Sequence, residues 1–140
     1  MGAGFEFDTR GVVGADLDAN GRMDLVLVED GWEPGVALPQ LVHVVGNEWE
    51  GTGSWIGARL TEGGLGRSPL GAVVTVRAEG RAWSRPVVTG DSFASQHPGQ
   101  VHFGLGAIQA VESLEVRWPD GTMRRLARPG LNRYHQMKPR

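Results

Sequence analysis

The sequence predicts an all-β protein, and three observations carry that prediction. The chain of 140 residues holds 22 glycines and 8 prolines, a glycine share about double the usual one, which favours short elements joined by many turns. No segment sustains an apolar helical period over about three turns. Where apolar residues do recur they alternate: Leu114, Val116 and Trp118 share one side, and Glu115 and Arg117 point the other way. That is the pattern of a sheet with one buried and one wet face.

Taken in order, Gly11 to Ala15 reads as a strand entering a loop of unusual chemistry. Asp16, Asp18, Asn20 and Asp24 place side-chain oxygens at loop positions 1, 3, 5 and 9, and Gly21 allows a sharp turn. Ca2+ takes roughly six to eight oxygens at about 2.3 to 2.6 Å, so these four side chains with the Arg22 carbonyl form a suitable ligand set. Three acids packed this closely would repel one another without a cation. The same spacing in an EF-hand requires a bidentate Glu at position 12 and a following helix. Position 12 here is Leu27, inside the apolar run Leu25 to Val28, so the loop belongs in a β-hairpin closed by Glu29, Asp30 and Gly31. The other reading is a plain turn, since Asp, Asn and Gly are ordinary turn formers.

A loop of Trp, Pro and Gly (31–35) is followed by a strand within 38–45, carried by Leu41 to Val45. The glycine-rich hinge at 51–53 marks a boundary, giving a calcium-hairpin section at 1–50 and a second β section at 51–140. In the second section Ile56, Ala58 and Leu60 share a face, as do Leu70, Ala72, Val74 and Val76. His102, between Val101 and Phe103, faces away from them and reads as a sheet residue. Pro119, Asp120 and Gly121 make a tight turn with 122–126 as the returning strand. The basic stretch 124–140 contains no acid and reads as a solvated tail.

Composition excludes several classes. A formal net charge of -2 provides no global attraction to nucleic acid, and no apolar run approaches the roughly 20 residues of a membrane span. With no cysteine, disulfides and thiolate metal sites are excluded. The first residues lack the basic and apolar regions of a signal peptide. The expected location is therefore cytoplasmic for a full chain, or extracellular if a targeting segment lies upstream.

Gly90, Asp91 and Ser92 resemble the nucleophile block of SGNH-type esterases, but the later Asp-x-x-His pair is missing, and His43, His97, His102 and His135 are scattered. Glycines 64, 66, 104 and 106 match no complete nucleotide-binding motif. Of the five tryptophans, Trp55 and Trp118 are assigned to packing, and Trp32 and Trp49 are the better candidates for partner contact.

Residues 14–25, with their Asp16, Asp18, Asn20, Asp24 spacing, resemble the calcium-loop hairpin of an FG-GAP (VCBS) repeat, the unit of integrin-type β-propeller blades. An ordered series of segments at 54–60, 66–76, 92–96, 102–106 and 116–121 resembles the ASPIC/UnbV domain that follows such repeats in the cartilage acidic protein family and bacterial UnbV-like proteins. The segment 63–67 departs from the Asn-Arg pair often found at this place in the family, and the resemblance offers Arg67 as its counterpart. The resemblance implies a propeller-blade-like calcium hairpin followed by an antiparallel β-sandwich or barrel-like domain. It also implies Ca2+ as cofactor and an interaction role toward other propeller blades, a protein or a glycan.

Only one calcium loop is present, and an isolated blade would expose unpaired edges. The expectation is a C-terminal piece of a longer protein, with self-assembly into a homo-oligomer as the other route. UnbV-like proteins also occur in enediyne-type polyketide clusters, which implies an accessory or catalytic role there. A pocket lined by His97, His102 or Arg67 would favour that role, and a flat sheet face would favour binding. Carbohydrate recognition would need exposed coplanar tryptophans.

Overall fold

The computed structural model describes residues 8–33, 35–37, 41–51, 53–61, 68–88, 90 and 92–139. Arg67, Asp91 and the glycines at 63, 64 and 66 lie outside them, as does the side chain of Trp32. The described residues form twelve strands and no helix, so no helix is long and apolar enough to cross a membrane. The strands are β1 (Thr9–Ala15), β2 (Asp24–Glu29), β3 (Trp32–Glu33), β4 (Val36–Ala37), β5 (Val42–Val45), β6 (Ser54–Leu60), β7 (Val73–Ala78), β8 (Arg81–Pro86), β9 (Gln100–Gly106), β10 (Ser113–Arg117), β11 (Met123–Ala127) and β12 (Tyr134–Met137).

The acidic loop joins β1 to β2, and β5 pairs with β2 to give an antiparallel sheet in the order β1-β2-β5. The expected Trp/Pro/Gly loop contains the small β3–β4 hairpin. Along β1 runs the segment 92–97. Ser92 Oγ donates to the Val12 carbonyl at 2.9 Å, and the Gly14 N–H donates to His97 Nε2 at 3.4 Å. Gly11 makes this approach possible, because a Cβ there would lie 2.7 Å from Ser95 Oγ. An otherwise open sheet edge is thereby covered.

Two further sheets, ordered β11-β10-β7-β8 and β12-β6-β9, enclose the core as a sandwich and do not close into a barrel. The alternation read from the sequence sets their inner faces. Ile56, Ala58 and Leu60 meet Val74, Val76, Leu114, Val116 and Trp118, all buried. Leu70 departs from its expected set: it precedes β7 in a turn and is exposed. The Pro119 turn forms as expected, with the Gly121 N–H donating to the Trp118 carbonyl at 3.0 Å and Gly121 at φ +84°. Glu79 and Gly80, both at positive φ, form the two-residue connection between β7 and β8, a geometry whose twist suits a hairpin.

The expected solvated tail is corrected in part. Residues 134–137 are β12, which pairs parallel to β6 in the register Tyr134 to Gly57. Met137 is fully buried, and this apolar anchor holds a stretch whose basic composition suggested solvent.

Candidate functional site

The acidic loop is built largely from bonds between its own carboxylates and backbone N–H groups. Asp16 Oδ1 accepts from Asn20 N at 3.0 Å and Asp16 Oδ2 from Gly21 N at 3.0 Å. Asp24 Oδ2 accepts from Leu17 N at 3.0 Å, and its Oδ1 accepts from Asn47 N at 2.8 Å, which ties the loop to the end of β5. Asp18 accepts from the backbone N and side-chain amide of Asn20, and Asn20 Oδ1 accepts from Arg22 N. Ala19 and Gly21 take positive φ values of 60° and 89° to close the turn.

The structure brings three of the expected ligands together. Carboxylate oxygens of Asp16, Asp18 and Asp24 lie within 4.8 Å of one another. Asn20 stands beside them through its bonds to Asp18, and Arg22 follows in the same loop. Asp16 and Asp24 are 3% and 5% exposed, and among the described residues none of the three acids forms an ion pair. Buried like charges with no cationic side chain paired to them are costly. This donor set fits a hard divalent cation, for which Asp16, Asp18, Asn20, Asp24 and the Arg22 carbonyl remain the expected ligands.

The loop rests on the outer face of the β12-β6-β9 sheet. Register places Tyr134, Gly57 and His102 side by side across the three strands, with Trp55 beside them. The Trp55 and His102 rings stack with centroids 5.2 Å apart, and the Trp55 and Tyr134 centroids are 5.0 Å apart. Trp55 is the floor beneath Gly21, where a Cβ would lie 2.0 Å from the indole Nε1. Tyr134 reaches the loop itself, its hydroxyl donating to Asp16 Oδ2 at 2.9 Å. Arg59 lies over the Tyr134 ring at 4.5 Å.

Sequence reasoning assigned Trp55 to packing and His102 to the sheet, and both hold; that they form the bed of the acidic loop was missed. Tyr134 and Asn47 were missed altogether. The single tyrosine of the chain, in a stretch read as tail, was the one available signal. Trp118 is buried as expected, and Trp49 is exposed.

Burial pushes the His102 imidazole below its ordinary value, with Arg85 adding to this effect and Asp16 and the Gly21 carbonyl opposing it. Burial, reinforced by the hydrogen bond to Asp16 and its negative charge, holds the Tyr134 phenol well above its ordinary value of 10. For an acid raised in the folded state, the linked stability is fully present below the unfolded value and is lost as pH rises above it. Stability is therefore expected to fall above about pH 10. Because no other tyrosine contributes, tyrosinate absorbance in the folded protein should appear only well above that pH, and near pH 10 after denaturation. Coincident titration curves would contradict the Tyr134–Asp16 bond.

Compared with known proteins, residues 63–140 match the family model described as ASPIC and UnbV. No curated protein matches the chain.

Proposed function

This chain belongs to the ASPIC and UnbV family, and from that premise we propose that it is a calcium-stabilised binding module whose first fifty residues are an FG-GAP-like hairpin docked on the family domain. The observation that carries this reading is the pair of buried carboxylates, Asp16 and Asp24, with Asp18 within 4.8 Å and no cationic side chain paired to them among the described residues. The ion would fix the loop against the aromatic bed rather than perform chemistry.

Partner contact is supported by the free side of the hairpin sheet. Register sets Val26 beside Val44 and Val28 beside Val42 on one face, and Val42 and Val44 are 65% and 63% exposed. A contiguous apolar row on a three-stranded sheet is a surface for a further blade, a second copy or another protein. A second reading, an accessory role in polyketide biosynthesis, is favoured by a cavity that His97 and His102 both line. For the carbohydrate reading, the described side chains offer no coplanar exposed tryptophan pair.

Terbium titration tests the calcium reading. Tb3+ replaces Ca2+ at oxygen sites, and the Trp55 indole lies against the loop. Tryptophan excitation should give sensitised Tb3+ emission that Ca2+ displaces and Mg2+ displaces poorly, because Mg2+ demands a smaller octahedral shell and dehydrates reluctantly. Trp55→Phe should remove most of the signal. Emission that Ca2+ leaves unchanged, or that Trp55→Phe does not reduce, would count against the site.

A further inference from the structure

Between the hairpin and the sandwich lies a cavity of about 330 Å³, bounded by Gly14 and Met23 from the hairpin and by residues of β8, β9 and the segment that joins them. It is separate from the acidic carboxylates, none of which lines it. Its size falls at the lower end of the range for small-molecule sites, roughly 300 to 1,000 Å³. That corresponds to about ten water volumes, room for a compact ligand and not for an extended chain.

The chemistry of the walls is one-sided. Among the described residues, Arg85, His97 and His102 line the cavity and no Asp or Glu does. Arg85 is exposed on the edge strand β8 and makes no ion pair among the described residues, its guanidinium carbon standing 5.9 Å from the Phe103 ring. Gln100 has its Oε1 occupied by Arg59 Nε at 3.3 Å, which turns its amide donors into the group left for a ligand. Gly104 adds open backbone, since a Cβ there would meet nothing within 4 Å. Met23, Val87 and Val101 supply the apolar remainder. A guanidinium and an amide donor set over an apolar floor select an anion that carries an apolar body, because Arg matches a carboxylate with paired, charge-assisted hydrogen bonds.

We propose that this cavity binds a small organic carboxylate with a compact apolar body, with Arg85 and Gln100 holding the carboxylate and Met23, Val87 and Val101 enclosing the rest. Two lining residues, Gly14 and Met23, come from the hairpin, so the site is complete only while the hairpin is docked. The ligand would thus bind the junction itself and stabilise it by mass action. This inference does not depend on which cation the acidic loop holds, because the cavity residues and the loop carboxylates are different groups.

The test is a titration of the whole, isotopically labelled chain with benzoate in Ca2+-containing buffer, followed by NMR at the Gly14 and Gly104 amides and the Gln100 side-chain amide. Benzamide, which has the same shape without the charge, serves as the comparison. Saturable shifts at these groups with benzoate, absent with benzamide, are expected. A ligand of this size should bind in the millimolar range, and Arg85→Gln should weaken binding about tenfold or more, the cost of one charge-assisted hydrogen bond. Arg85 is exposed, so that variant should keep the wild-type spectrum elsewhere. No saturable shift, equal shifts with benzamide, or unchanged affinity in Arg85→Gln would each overturn the proposal. The Asn20 and Gly21 amides report the acidic loop separately, so failure of the cavity and failure of the calcium site are distinguishable.

Discussion

In the presence of Ca2+, Asp24→Ala should cost the chain about 5 kcal/mol of stability. Part of this is structural: the carboxylate accepts from Leu17 N and Asn47 N in a part-buried setting, where each N–H left without a partner costs about 1 kcal/mol, the low end of the range for buried groups. The rest is linkage, since an ion present at a hundredfold excess over its Kd adds about 2.7 kcal/mol to a native state that alone binds it. For a chain of this length the melting temperature should fall by roughly 10 to 20 °C. Chelation of the wild-type protein should remove only the linkage part, a drop of several degrees, and Mg2+ should restore little of it. Asp18→Ala separates the two contributions. Asp18 is exposed and, among the described residues, bonds only to Asn20, so its loss should cost little in EDTA and still abolish the calcium response. If thermal melts show the same cost for Asp24→Ala with and without Ca2+, and Asp18→Ala responds to Ca2+ like wild type, the loop is a plain turn.

Gly57→Ala should be the most damaging single methyl in the second section. A Cβ at Gly57 would lie 2.2 Å from Tyr134 Cδ1 and 2.3 Å from Cε1, inside the van der Waals distance of a ring held between strands. Overpacking of this kind costs about 1 to 3 kcal/mol, and displacing the ring also breaks its bond to Asp16. The cost should therefore depend on the tyrosine. In a Tyr134→Ala background the new methyl finds space, and urea denaturation should show Gly57→Ala to be clearly less harmful there than in wild type. Additive effects would mean that the ring moves aside freely, and the aromatic bed would lose its role as the support of the loop.

These two residues show what a single sequence can and cannot reveal. Alternation identified the inner faces of β6, β7 and β10, because a strand with one face in a core writes a period of two into its own residues. The Asp16 to Asp24 spacing was legible for a similar reason: the loop makes most of its bonds within itself. β8 was not singled out, since it lies at a sheet edge with only Trp83 packed toward the core and so carries little alternation. β12 was hidden by the charges around it. The aromatic bed depends on the registers of β6, β9 and β12, and Gly57, His102 and Tyr134 become neighbours only once those registers are known. The residues flanking the hinge gave no sign that segment 92–97 returns to cover β1.

The bond between Tyr134 and Asp16 joins residues 118 positions apart, and that separation sets an order of events during synthesis. At about 5 to 20 residues per second on the ribosome, roughly six to twenty-four seconds pass between the addition of Asp16 and the addition of Tyr134. For most of that interval the hairpin has its own carboxylates and Asn47 but neither its phenol nor the completed aromatic bed. A cation captured by the nascent loop would be held by local ligands alone, and the parallel strand β12 is then added as the last strand of its sheet. Contacts formed so late do little to speed folding and instead slow its reversal. The phenol therefore acts as a latch on the docked loop, more than as a guide to how the loop first forms.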